Sequence, residues 1–113
     1  MPLHTFGAAM TANGTYEPLT GWQYEYLPYP AQVEVAFNAA VTEEAVATVS
    51  FGAETVMEES AVQVVTVANQ PPAYDQPQVV DVAAAGDRLK IRFREIAGNT
   101  GFVRGWIRVT SLI

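Results

Sequence analysis

From Arg88 to Arg94 the chain alternates without a break between cations and large apolar residues: Arg88, Lys90, Arg92 and Arg94 against Leu89, Ile91 and Phe93. Extended chain places every second side chain on the same side, whereas a helix would scatter these charges around its axis. The same period recurs at Val33, Val35 and Phe37 against Gln32, Glu34 and Asn38. It returns at Ala45, Ala47, Val49 and Phe51, and at Val103, Ile107 and Val109 against Arg104, Trp106 and Arg108. The long apolar stripes of amphipathic helices are missing. The chain therefore reads as all-β, built from strands with one face buried and one face wet.

Turn residues cut this pattern into eight expected strands, at about 4–11, 21–27, 32–38, 44–51, 55–59, 62–68, 88–95 and 102–112. Asn13-Gly14 is a two-residue hairpin signal, because both residue types tolerate positive φ. Gly52-Ala53-Glu54, Gly86-Asp87 and Gly98-Asn99-Thr100-Gly101 mark further turns. The stretch 69–78 carries Pro71, Pro72 and Pro77 and reads as a stiff extended loop, either a plain connection or a docking arm. Val79-Val80-Asp81-Val82 adds a short extended piece. Eight short strands with closely spaced turns specify an antiparallel β-sandwich; an eight-stranded jelly roll is the specific expectation and a seven-stranded immunoglobulin-like sandwich the alternative. At 113 residues the whole span 1–113 is expected to be one domain.

Charge is distributed unevenly. All six lysines and arginines lie between residues 88 and 108, whereas eleven of the twelve carboxylates precede Arg88. With a net charge of −6, the molecule opposes non-specific binding to nucleic acid, whose phosphates require a positive field. Arg88, Lys90, Arg92 and Arg94 share one side of a strand, and Arg104, Trp106 and Arg108 share one side of the next. Two readings compete. Carboxylates on adjoining strands, such as Glu25 or Glu34, can neutralise the cations within the sheet. Alternatively, the basic strands meet an acidic surface on another copy.

No residue set points to catalysis, and the chain is expected not to be an enzyme. Cysteine is absent and His4 is the only histidine, so neither a thiolate nucleophile nor a zinc site is expected. Glu43-Glu44 and Glu58-Glu59 are adjacent pairs whose members point to opposite sides of an extended chain, a poor geometry for general acid and base. No calcium loop, phosphate-binding glycine loop or serine elbow is present, and no cofactor is expected. No apolar run is long enough to cross a bilayer, and Met1-Pro2-Leu3-His4 does not open like a secretory signal. Trp22, Tyr24 and Tyr26 alternate beside Tyr29; they fill a core or interface, or form a stacking platform for sugars if their rings lie exposed and coplanar. The valines at 62, 64, 65 and 67 make a segment apolar on both faces, to be covered by a loop or by another subunit.

The closing stretch resembles small virion proteins of bacteriophages and other icosahedral viruses. It runs Ala84-Ala85-Gly86-Asp87-Arg88-Leu89-Lys90-Ile91-Arg92-Phe93, then Gly98-Asn99-Thr100-Gly101, then Gly105-Trp106-Ile107-Arg108-Val109. The resemblance implies a compact sandwich that builds or decorates a capsid as a homo-oligomer, made in the host cytoplasm and carried in the virion. Its expected partners are further copies of itself and other virion proteins. No site motif is shared, so no functional residue carries over. Contact residues are expected at Arg88, Lys90, Arg92, Arg94, Arg104, Trp106 and Arg108, with Trp22 and Val64 as apolar anchors, because aromatic and arginine side chains favour interface centres. A carbohydrate- or receptor-binding sandwich is the alternative function.

Overall fold

The computed structural model describes residues 3–40, 44–64, 72, 77–96, 98 and 101–112. Its eight strands are β1 (Leu3–Ala9), β2 (Thr15–Tyr16), β3 (Ala31–Ala39), β4 (Ala45–Phe51), β5 (Glu54–Ala61), β6 (Val79–Ala83), β7 (Leu89–Glu95) and β8 (Phe102–Ser111). They form two four-stranded antiparallel sheets, β1-β8-β3-β6 and β2-β7-β4-β5, packed as a sandwich. Among the described residues there is no helix. The antiparallel neighbours β1–β8, β2–β7, β3–β6 and β4–β5 are the pairs produced when one long ribbon, doubled at the β4–β5 turn, is wound around a common core.

Alternation fixes which faces pack. Val33, Val35, Phe37, Val103, Ile107 and Val109 of the first sheet meet Ala47, Val49, Phe51, Leu89, Ile91 and Phe93 of the second, and all are buried. Full burial of one such side chain contributes about 1.5–3 kcal/mol, so these facing rows dominate the favourable side of folding. Phe93 sits at the centre. Phe37 meets it edge-on at 5.3 Å, with Phe6 at 5.9 Å and Tyr16 at 6.1 Å. The rings of Phe6 and Phe37 flank Gly105, which lies opposite both across the sheet and leaves them room.

Two expectations are corrected by the pairing, and a third lies partly outside the described residues. Asn13 does take positive φ, at 56°, but β1 and β2 do not form a hairpin; the turn carries the chain from one sheet to the other. The segment 21–27 is not a strand along its length. Hydrogen-bonded turns run from Glu17 to Glu25, with Gly21 at φ 85° and Leu19 tucked into the core. Only its end pairs with the β7 side, through a bridge between Tyr26 and Arg88 and a Leu89 N–H donated to the Glu25 carbonyl. The segment expected at 62–68 is described only to Val64. There Val62 is buried and Val64 makes a single parallel bridge to Ala39; the remainder, with Tyr74 and most of the proline-rich loop, lies outside the described residues. The short piece at 79–82 is instead a full member of the first sheet, β6.

The start of β6 has its own device. Continuing the β3–β6 register would set Pro77, which has no N–H, opposite Phe37. Gln78 substitutes for it. Its side-chain carbonyl accepts the Phe37 N–H at 2.8 Å, and its amide donates to the Phe37 carbonyl at 3.0 Å. A side chain thus completes the ladder where the backbone cannot.

Candidate functional site

The two outer faces of the sandwich differ in character. On the second sheet, β7 presents Lys90, Arg92 and Arg94, with Arg88 just ahead of the strand. Carboxylates of the same chain meet three of these four. Arg94 forms a bidentate pair with Glu59, with Nη2 to Oε1 at 2.6 Å and Nε to Oε2 at 3.0 Å. Arg88 Nε donates to Glu25 at 2.8 Å, and Lys90 lies 3.5 Å from Glu17. Arg92 is exposed and, among the described residues, makes no salt bridge; its charge nevertheless helps to hold the Glu59 carboxyl down. The Glu25 carboxyl is lowered first by the Gly21 backbone N–H and then by Arg88, and Glu59 first by Arg94.

The outer face of the first sheet carries fewer charges. Along β8 it shows Phe102, Arg104, Trp106 and Arg108 at every second position. The Arg104 guanidinium lies 4.8 Å over the Phe102 ring, and that of Arg108 lies 5.0 Å over Trp106. Arg108 also forms a bidentate pair with Glu34 across β3, at 3.0 and 2.9 Å, and this hydrogen bonding lowers the Glu34 carboxyl. Trp106 is only 1% exposed although its side chain points away from the inter-sheet core. Small neighbours flank it, Thr5 on β1 and Ala36 on β3. Beside it lies an open depression of about 390 Å³ bounded by Thr5, Gly7, Pro72, Phe102 and Arg104.

The two basic rows therefore do not make one positive surface. β7 and β8 follow each other in sequence but belong to opposite sheets, so their outer residues face away from each other. Of the expected contact residues, Arg88, Lys90, Arg94 and Arg108 form ion pairs inside the chain. The structure thus supplies the in-sheet neutralisation for these four. Arg104 and Trp106 share one depression, whereas Val64 is exposed elsewhere. Trp22 is half-buried and stacks on His4 at 5.0 Å with an interplanar angle of 20°. The aromatic row is not a flat platform: Trp22 and Tyr24 are inclined at 64°, and Tyr24 and Tyr29 at 46°.

Sequence reasoning missed Phe102, although its two-residue spacing from Arg104 put it on the same face. It also missed the exposed apolar residues on that face: Leu3 on β1, Val80 and Val82 on β6, and Phe102 on β8. Each was readable as one position in an alternating strand, but only sheet order brings them to one side. Glu95 was missed as well. It is 1% exposed at the end of β7, and its Oε1 accepts N–H groups of Asn13 at 2.9 Å and Gly98 at 2.7 Å, pinning two turns together.

No family model matches the chain, and neither a curated protein nor a solved structure matches it.

Proposed function

We propose that this chain is a structural subunit of a viral particle, a capsid or capsid-associated protein of a bacteriophage that works by self-association and by contact with other virion proteins. The wound ribbon, with its 1–8, 2–7, 3–6 and 4–5 pairs, fits the eight-stranded jelly roll, an arrangement used by capsid and lectin domains. Fold alone does not assign function. The observation that carries the reading is the contrast between the faces. The second sheet carries three ion pairs made within the chain on its outside, whereas the first exposes Leu3 at its β1 edge, Val80 and Val82 at its β6 edge and Phe102 at the start of β8. Covering these apolar side chains favours protein contact on that face. Arg104 and Arg108 lie on that face, where arginine favours contact centres, whereas Trp106 is buried within the chain. The inclination of Trp22, Tyr24 and Tyr29 works against the carbohydrate-binding alternative.

Mass spectrometry of density-purified particles from the virus encoding the chain tests the assignment. The chain is expected in intact particles at a fixed stoichiometry. Its absence from them, together with retention on a glycan array that Trp22→Ala abolishes, would replace this reading with the carbohydrate-binding one.

A further inference from the structure

The four sheet edges are not equally protected. Native proteins guard exposed edge strands with charge, proline, bulges or shortness, because an open row of N–H and C=O groups templates pairing with another chain. β5 carries Glu54, Glu58 and Glu59, all exposed, and two register irregularities against β4. β6 has only five residues, follows Pro77 and contains Asp81. β2 has two residues and runs into Glu17-Pro18. β1 follows Pro2 but carries no charge, no bulge and no proline of its own. It spans seven residues in unbroken register with β8, and no lysine, arginine, carboxylate or proline occurs from Leu3 to Tyr16.

Parity shows what this edge offers. The Met10 N–H donates to the Gly101 carbonyl, so even-numbered residues of this segment turn their backbone groups toward β8. The N–H and C=O groups of Leu3, Thr5, Gly7 and Ala9 consequently point to the open side, and all four residues are exposed. Among the described residues, the Gly7 backbone hydrogen-bonds the Tyr16 side chain there. Its N–H is therefore occupied, and Thr5 is left as the natural centre of any added pairing.

We propose that β1 is a two-fold self-association edge: two copies pair antiparallel through β1, centred on Thr5, and join their first sheets into one continuous eight-stranded sheet. This rests on the self-association reading above and names its surface. Charge decides which edge a second copy can use. Each molecule carries a net −6, and the β5 edge would set glutamates against glutamates, whereas β1 brings no charge to the seam. The register is self-compatible. Each Thr5 exchanges N–H and C=O with its equivalent, a favoured cross-strand pair of threonines. The Leu3 N–H then donates to the Gly7 carbonyl of the second copy, the one backbone group of Gly7 that Tyr16 leaves open. Leu3 lies at the seam on the outer face and the Phe102 ring lies over Gly7 beside it, so pairing covers two of the exposed side chains.

Thr5→Pro removes an outward N–H without touching the β1–β8 ladder, a placement edge strands tolerate. Thr5→Lys leaves the backbone intact and puts a charge at the seam, which guards against a folding defect in the proline variant. Sedimentation velocity over a concentration series gives the mass, and amide hydrogen exchange reads the Thr5 and Ala9 N–H groups one by one. A wild-type dimer with a slowly exchanging Thr5 amide is expected, weakened about tenfold or more in both variants. Assembly unchanged in both variants, or a rapidly exchanging Thr5 amide in the wild-type assembly, would move association to another surface and leave the virion assignment standing. A wild-type chain that stays monomeric overturns the two-fold edge whether or not purified particles contain the protein.

Discussion

Replacing Gly105 by alanine probes the packing on which the sandwich depends. Gly105 faces inward on β8, opposite Phe6 on one side and Phe37 on the other. A Cβ there would strike the Ala36 carbonyl oxygen and lie 2.7 Å from Phe6 Cζ and 2.9 Å from Phe37 Cβ. Two of these neighbours belong to β3, which is held by β8 and β6 and cannot shift without breaking ladder bonds. Only the Phe6 ring can swing, and it is packed 5.9 Å from Phe93. The cost falls at the upper end of overpacking, about 3 kcal/mol. At roughly 4 °C per kcal/mol for a chain of this size, the melting temperature should drop by about 12 °C. Gly7→Ala is the control. Its Cβ would meet Phe102 Cε1 at 2.9 Å and Arg104 Cβ at 3.3 Å, but Phe102 is an exposed ring free to turn, so the cost stays below about 1 kcal/mol. Calorimetry of both variants at neutral pH decides the matter. A Gly105→Ala protein melting within about 3 °C of wild type, or a Gly7→Ala protein falling as far as Gly105→Ala, would refute the close approach of β1, β8 and β3.

Glu95→Ala strands the Asn13 and Gly98 N–H groups that the carboxylate accepts, and should cost about 2–3 kcal/mol in urea unfolding, whereas Glu95→Gln keeps an acceptor and should cost about 1; equal losses in the two variants would show that the side chain does not act as an acceptor. Stability should fall on the acid side for a defined reason. The folded-state carboxyls of Glu25, Glu34 and Glu59 lie below their ordinary value of 4.5, so their contribution is complete above that value and is lost as pH falls through the depressed folded values. Urea midpoints measured between pH 2 and 7 should show this acid limb. The triple variant Glu25→Gln, Glu34→Gln, Glu59→Gln should be less stable at neutral pH and have a shallower limb; an unchanged limb would assign acid unfolding to other groups.

Much of the fold was legible from local pattern. The period of two at Leu89–Phe93, Val33–Phe37 and Ala45–Phe51 named both the strands and their buried sides, because successive side chains of an extended chain must point to opposite faces. The same rule set Arg88 to Arg94 outside and anticipated that Glu25 and Glu34 could neutralise cations across the sheet. It could not say which cation each would meet. It also lost 21–27, where alternating aromatics suggested a strand but Pro18 and Gly21 allow a chain of turns that drops Leu19 into the core.

Local alternation was enough to make this protein a stack of half-buried strands with its cations on outward positions, since those properties depend only on neighbours two residues away. Tertiary structure decided that β7 and β8, consecutive and both basic, lie in opposite sheets and divide those cations between two faces. It also buried Trp106 on an outward face and placed β1 at a sheet edge. Alternation determines which side of a strand meets the core but carries no information about which strand lies beside it. That choice is made by contacts between residues far apart in the chain, such as Phe6 with Gly105 or Glu59 with Arg94.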